Sequence, residues 1–202
     1  MKSATKIDSR KTLTTLYEIT LETGDFISAL QAAFIYNTSK VLQGHSATAE
    51  EYRKEAVHLS AILAEASSDN KEMKLYVPVG EHILTVWKQL GILHVLIEKK
   101  IGEHVLFSDK AVDETIYLLQ RLVEILRPAA DMILARNTFL SKYIQESQAH
   151  IDRLAGDYAT LHENRLITGE CLPVASSIYV SMLDAIKGIA WHTKEIALLL
   201  GK

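Results

Sequence analysis

The chain has 202 residues and a formal net charge of -3, with 48% hydrophobic and 23% charged residues. This composition is typical of a globular protein with a substantial core and excludes a disordered chain. Lysines and arginines are scattered among acidic residues, so the sequence offers no basic patch for a phosphate backbone. We therefore expect no nucleic-acid partner.

Cys171 is the only cysteine, which excludes an intramolecular disulfide and a cysteine-cluster metal site. The first residues lack the apolar stretch of a secretory signal, and no apolar run reaches the ~20 residues that span a bilayer. We expect a cytoplasmic protein without direct membrane insertion, which reaches the inner membrane only through a partner.

The scarcity of helix breakers, three prolines and nine glycines, favours an all-α fold with six long helices. The first is predicted from about Lys11 to Leu42, with Gly44 and the following histidine ending it. Thr48 and the glutamate three positions later form a capping box that predicts the start of the second helix. This helix is predicted to fade in the polar stretch 67–70.

The third helix is predicted to begin near Pro78, because proline is tolerated in a first helical turn, and to run to about Ile101. It is apolar on most faces, which indicates a central position. The fourth is predicted to begin after Ser108 and Asp109, and Pro128 is expected to kink it because proline removes an amide donor.

The fifth helix is predicted from about Asn137 to Thr168, with Gly169 as its C-terminal cap. Its clearest signal is a seam of residues spaced alternately by four and three, which predicts packing against neighbouring helices. The seam consists of Leu140, Ile144, Ser147, Ile151, Leu154, Tyr158 and Leu161. The sixth helix is predicted to begin at Pro173 and to run almost to the end.

Two prolines mark an internal repeat. Val77-Pro78-Val79 and Leu172-Pro173-Val174 are 95 residues apart, and the same offset superposes the helix outline of the two halves. The sequence thus predicts two three-helix repeats, 1–105 and 106–202, packed as one compact unit because no flexible linker separates them.

The C-terminal quarter resembles the closing helices of PhoU-like domains, which occur alone and as the soluble tail of sodium/phosphate cotransporters. The resemblance covers about fifty residues. It is carried by the stretches His150-Ile151-Asp152-Arg153-Leu154, Arg165-Leu166-Ile167-Thr168-Gly169-Glu170 and Met182 to Ala197, with Pro173 between the last two. The resemblance implies a six-helix bundle of two three-helix repeats and a role in regulating phosphate uptake.

The resemblance also implies where a metal cluster would be held, and there the chain departs from the family. Carboxylates four residues apart on one helix face would share iron or zinc. The corresponding pair on the last helix is Lys187 and Trp191, and the pair on the preceding helix is Gln148 and Asp152. Since a lysine and a tryptophan supply no carboxylate, we expect no metal cofactor.

The last helix has a distinctly polar side. Its apolar residues centre on one direction, and its outward face is predicted to hold Asp184, Lys187, Trp191 and Glu195. A large aromatic side chain among charges is a common feature of binding surfaces. An alternative is that another helix covers Trp191.

Two alternatives remain for the function. One is a metal-binding bundle that holds iron or zinc through Glu55, His58, Asp152 or His192, since Glu55 and His58 have the Glu-x-x-His spacing of di-iron bundles. The other is a helical oligomerisation module without a link to phosphate. A helix-to-helix hydrogen bond also accounts for His192.

No motif for nucleophilic catalysis or for a phosphate-binding loop is present in the sequence. We therefore interpret the chain as a non-enzymatic regulatory or adaptor protein of phosphate uptake. By resemblance, its partner is the cytoplasmic face of a membrane transporter, a sensor kinase, or a second copy of the chain in a homo-oligomer.

Overall fold

The computed structural model describes residues 9–66 and 71–201 of the chain. Within these ranges all regular structure is helical, which confirms the all-α prediction. The seven helices are α1 (Ser9–Tyr36), α2 (Lys40–Ala66), α3 (Lys71–Lys74), α4 (Tyr76–Gly102), α5 (Asp109–Ala135), α6 (Thr138–Ile167) and α7 (Pro173–Leu200). Six are long, as predicted. The four-residue α3 was not predicted, and the predicted fading stretch 67–70 lies outside the described residues.

The boundary between α1 and α2 differs from the prediction. The chain turns at Asn37, which has a left-handed backbone with φ of 49°. Asparagine tolerates this conformation better than most residues, and its side-chain oxygen accepts a hydrogen bond from Lys100 Nζ at 2.7 Å. A contact with a residue far along the chain thus ends α1 well before the predicted Leu42.

The predicted start of the second helix at Thr48 is also wrong. Helix α2 begins at Lys40 and passes through both Gly44 and Thr48 without interruption. A glycine inside a helix costs only about 1 kcal/mol relative to alanine, so tertiary packing on either side can hold it. A Cβ atom at Gly44 would meet no other atom within 4 Å, so the missing side chain removes no packing contact from α2.

Helix α5 begins at Asp109, within one residue of its predicted start. Ser108 caps the helix by accepting a hydrogen bond from the Ala111 amide at 3.3 Å. The helix continues through Pro128 to Ala135. Four of the next five residues are buried, and their packing offsets the lost backbone hydrogen bond: Ala129, Ala130, Met132 and Ile133.

The ends of α6 and α7 agree with the sequence signals. Asn137 caps α6 by accepting hydrogen bonds from two backbone amides of its first turn. Gly169 follows the helix with φ of 77°, and the amides of Gly169 and Glu170 donate to the carbonyls of Leu166 and Arg165. This is the Schellman arrangement that glycine favours. Pro173 opens α7.

Four helices form the centre of the bundle. Helix α1 packs on α5, α5 on α7, α7 on α4, and α4 on α1, so that each half of the chain contributes two adjacent helices to a shared core. Helix α2 lies against α1 and α4, and α6 lies against α5 and α7. The most extensive packing, α4 with α7 and α1 with α5, joins the two halves.

The predicted seam of α6 is correct in its middle and drifts at its end. Ile144 and Ile151 are fully buried, but Leu161 is 50% exposed and its neighbour His162 is buried instead. An ideal α-helix drifts by about 20° per heptad from a strict seven-residue repeat. After three heptads the inward direction has therefore moved to the next residue.

Within the described residues, no helix combines the length and apolar character needed to cross a membrane.

Candidate functional site

The predicted face of α7 lies on the surface of the bundle. Trp191 is 45% exposed, Asp184 is exposed, and Lys187 and Glu195 are half-buried. The residues predicted to face inward are all buried: Leu183, Ile186, Ile189, Ala190, Thr193, Ile196 and Ala197. The predicted orientation of α7 is therefore confirmed, and no helix within residues 9–66 and 71–201 covers Trp191. That this face binds a partner stays a prediction.

Trp191 is held in place by neighbours on two helices. Its ring meets His192 edge-on at 4.7 Å between centroids, and His82 of α4 at 5.9 Å. Lys194 Nζ lies 5.1 Å from the centroid of the indole, within the range of a cation–π interaction. One side of the indole is thus fixed by the protein, while much of the ring stays accessible to a partner.

His82 and His192 form a hydrogen bond across α4 and α7, with their Nδ1 atoms 2.8 Å apart. One Nδ1 must donate and the other accept, so the bond needs at least one neutral ring. Burial lowers the pKa of both histidines, and the proximity of His82 lowers that of His192 further. His82 is therefore part of the α4–α7 contact.

Lys187 does not point freely into solvent. Its Nζ lies 3.2 Å from Asp152 Oδ1 of α6, and both side chains are about half exposed. The ammonium of α7 and the surviving carboxylate of α6 thus form an ion pair at two of the four positions where the family resemblance would place metal ligands. A protonated amine at this position repels a cation.

The weak metal candidates do not come together. Glu55 and His58 are exposed on α2 beside α1, whereas Asp152 pairs with Lys187 and His192 pairs with His82. In the described part of the chain, no group of three or more histidine, cysteine, aspartate or glutamate residues is arranged to hold a metal ion.

A buried polar network, which sequence reasoning missed, lies near the opposite end of α7. Arg165 donates two hydrogen bonds to the carboxylate of Glu114 at 2.7 and 2.8 Å, and both side chains are about nine-tenths buried. The hydroxyl of Tyr179 donates to the same carboxylate. Burial and this hydrogen bond raise the pKa of Tyr179, so its hydroxyl stays protonated.

His162 extends this network toward α7. Its ring lies 4.5 Å from that of Tyr179, and its Nε2 is 2.9 Å from Ser176 Oγ. Burial lowers the pKa of His162, and the nearby Arg165 lowers it further. The sequence did contain a signal for both residues, because His162 and Arg165 continue the spacing of Ile151 and Ala155 along the buried side of α6.

The fold and this face define an all-α bundle with an exposed aromatic side chain on its last helix. No known protein-family model matches the chain, and no curated protein matches it. Among solved structures, it is similar to a Shewanella oneidensis MR-1 protein described as a PhoU-like phosphate regulatory protein. The TM-score is 0.51 with 16% identity, over 94% of each chain.

At this identity the similarity establishes a shared fold. The predicted resemblance to PhoU-like domains is therefore confirmed at the level of the fold. Because it spans nearly the whole chain, it extends well beyond the C-terminal residues in which the sequence carried the resemblance.

Proposed function

We propose that this chain is a non-enzymatic regulatory or adaptor protein of phosphate uptake, which binds a protein partner through the face around Trp191. The PhoU-like fold supports the link to phosphate, because the solved structure that shares it is described as a phosphate regulatory protein. The partner is a membrane transporter, a sensor kinase, or a second copy of this chain.

The single observation that carries the binding proposal is the exposure of Trp191. On the most apolar of the long helices, a tryptophan that is 45% exposed contributes less to folding than a buried one would. Tryptophan is enriched among the residues that dominate binding energy, because it buries a large area and loses little conformational freedom. Contacts with His82, His192 and Lys194 already restrict the ring before a partner arrives.

The charges around Trp191 fit a protein partner better than a membrane surface. Asp184, Lys187 and Glu195 carry both signs, and one positive charge is already paired with Asp152. A lipid surface is recognised by clusters of lysine and arginine, whereas a mixed polar rim around an aromatic anchor is typical of protein interfaces.

A complementation experiment tests the proposal. Cells that lack the gene should take up radiolabelled phosphate abnormally, and the wild-type gene should restore normal uptake. We expect Trp191→Ala, alone or with Lys187→Glu, to fail to restore it although the protein accumulates to the normal level. Tyr143→Ala is the matched control, because Tyr143 is an aromatic residue on α6 with a similar exposure of 43%.

Normal uptake with Trp191→Ala would overturn the proposed face, and normal uptake without the gene would overturn the link to phosphate. Crosslinking from a photoreactive residue at position 184 would identify the partner, and sedimentation of the purified protein would show whether that partner is a second copy.

The proposal includes no metal cofactor, in contrast to the iron or zinc alternative. Elemental analysis of protein purified without a histidine tag distinguishes the two. We expect far less than one metal per chain, because Lys187 and Trp191 replace carboxylates. A stoichiometry of about one or more iron or zinc atoms would support the metal-binding alternative.

A further inference from the structure

The most exposed apolar side chains lie at the two ends of the bundle. Within residues 9–66 and 71–201, seven large apolar side chains are more than half exposed, and Val95, inside α4, is one of them. The other six lie at or between the ends of helices: Tyr36, Leu106, Leu134, Phe139, Ile167 and Leu172. Single exposed apolar residues are ordinary, whereas their concentration at the two ends indicates surfaces that another molecule covers.

The two ends have different shapes. Phe139 lies in the first turn of α6, beside the end of α5, and is 84% exposed, more than any other large apolar side chain of the described residues. A ring that its own chain covers so little contributes little to folding. At the opposite end, where α5 and α7 begin and α6 ends, lies a cavity of about 210 Å³. One end thus presents a projecting ring and the other a cavity.

The cavity can hold one aromatic side chain. Its apolar lining consists of Leu106, Phe107, Ala111, Leu172, Ala175 and Tyr179. The cavity opens to the surface beside Leu106 and Leu172, which are both more than half exposed. A cavity of ~150 Å³ with apolar walls holds a benzene molecule, and this one is larger. The rings of Phe107 and Tyr179, 5.8 Å apart, offer an entering phenyl ring the edge contacts that aromatic groups prefer.

The polar side chains of the lining have hydrogen bonds that an entering ring need not break. The hydroxyl of Ser108 accepts from the Ala111 amide and lies within hydrogen-bond distance of the Cys171 thiol. His162 Nε2 is 2.9 Å from Ser176 Oγ. An apolar occupant therefore displaces water from this cavity and leaves these contacts in place.

Positive charges flank the exposed ring of Phe139. Arg136 and Lys142 lie three positions before and after it, and both are exposed. The Nζ of Lys142 is 3.7 Å from a carboxylate oxygen of Glu146, but both side chains are more than two-thirds exposed, so this pair is weak. The ammonium can therefore turn to another carboxylate.

The charge at the cavity is negative. Glu170 lines the cavity and is exposed, with its carboxylate 3.2 Å from Thr168 Oγ1. Asp109 and Lys110, in the first turn of α5, offset each other. The two ends of the bundle are thus complementary in shape and in charge, and charge complementarity fixes the orientation in which two surfaces meet.

We propose that Phe139 of one copy of this chain inserts into the cavity of a second copy, with Lys142 beside Glu170. The ring and the cavity lie at the two ends of α6, whose 30 residues span about 45 Å, so one chain cannot fill its own cavity. Each added copy leaves one ring and one cavity unoccupied, and such head-to-tail contacts build rings or filaments. This contact is separate from the Trp191 face and goes beyond the proposed function.

Sedimentation of the full-length protein from about 1 µM to about 1 mM tests the proposal. We expect the wild-type protein to form species larger than a dimer as its concentration rises. Phe139→Ser should weaken this association by about tenfold or more, because the apolar area buried in the cavity is lost. Val95→Ser is the matched control, since Val95 is an exposed apolar residue away from both ends.

Two further variants test the pairing of ring and cavity. Leu106→Glu places a carboxylate at the cavity wall and should weaken association as Phe139→Ser does, since Leu106 is exposed and its replacement spares the core. An equimolar mixture of these two proteins has one intact ring and one intact cavity, so we expect dimers and nothing larger. Glu170→Lys should weaken association several-fold, and Lys142→Glu in the same chain should restore it.

A wild-type protein that stays monomeric at about 1 mM would overturn the proposal, and so would a Phe139→Ser protein that associates as the wild type does. A mixture of the Phe139→Ser and Leu106→Glu proteins that forms no dimer would exclude head-to-tail pairing. Trp191→Ala should associate normally. If it alone abolished association, the contact between copies would belong to the Trp191 face instead.

Discussion

The two tryptophans of the chain lie in opposite environments. Trp87 on α4 is 2% exposed and is stacked between Phe26 of α1 and Tyr52 of α2, with each ring centroid 6.0 Å away. Trp191 on α7 is 45% exposed and contacts two histidines and a lysine. The first joins three helices of one half of the chain, whereas the second lies at the edge of the contact between the halves.

Trp87 stabilises the fold, whereas Trp191 is held at the surface, where a partner can contact it. The large area of Trp87 is removed from water by the protein itself, so its contribution is already complete in the folded chain. About half of Trp191 remains in water, and only a partner can bury the rest. The following predictions test this difference.

The largest expected effect is on stability. We expect Trp87→Ala to lower the free energy of unfolding by about 3–5 kcal/mol, because it leaves a large cavity among three helices. Trp191→Ala should lower it by about 1 kcal/mol, because the ring is half-exposed and leaves no enclosed void. Urea unfolding followed by circular dichroism measures both. Equal losses would show that Trp191 is a structural residue after all.

A second prediction concerns access of solvent to the two indoles. In a Trp87→Phe protein Trp191 is the only tryptophan, and we expect acrylamide to quench its fluorescence several-fold more strongly than that of Trp87 in a Trp191→Phe protein. Trp87→Phe should be tolerated, because the indole Nε1 of Trp87 makes no hydrogen bond with any described residue. Similar quenching of the two proteins would contradict the exposure of Trp191.

A third prediction concerns pH. Because burial lowers the pKa of His82 and His192 below the usual ~6.5, the unfolded chain binds protons at a higher pH than the folded chain does. Their contribution to stability is therefore complete above about pH 6.5 and decreases as the pH falls below it. Protonation of both rings also removes the Nδ1 to Nδ1 hydrogen bond.

Urea unfolding at pH 7.5 and at pH 5 tests this sign. The loss of stability on acidification should be smaller in the double variant His82→Gln, His192→Gln than in the wild-type protein. His58→Gln is the control, because His58 is exposed on α2, and it should behave as the wild type does. A double variant that loses as much stability as the wild type would exclude this pair as the origin.

The smallest expected effect comes from Lys187→Ala. The ion pair of Lys187 with Asp152 is about half exposed, and such pairs contribute little because water and salt screen them. We expect no measurable change in the urea midpoint of unfolding. A loss of partner binding by this variant would then come from the altered face and not from unfolding. A clear destabilisation would instead make Lys187 a structural link between α6 and α7.

The sequence predicted the fold wherever a local signal decided the outcome. Ser108, Asn137 and Gly169 act at helix ends as their side chains and backbone preferences indicate, and Pro173 opens α7. The turn at Asn37 was missed because Lys100, 63 residues away, stabilises it. The local sequence around Asn37 signals a helix end less strongly than Gly44 and the capping box at Thr48, which the prediction followed.

The candidate site was predictable in part. Helical periodicity placed Trp191 outward, because the apolar stripe of α7 fixes the opposite direction. Its contact with His82 depends on how α4 crosses α7, and the sequence does not encode that crossing in any one segment. The same limit applies to Glu114 and Arg165, which are 51 residues apart and meet only after α5 and α6 pack together.

The hydrogen bond between His82 and His192 spans the two predicted repeats, since one ring belongs to residues 1–105 and the other to 106–202. A partner that covers Trp191 and its two histidine neighbours would therefore contact both repeats at once. Such a partner would stabilise the packing of α4 against α7, and a movement of one repeat relative to the other would require the partner to dissociate.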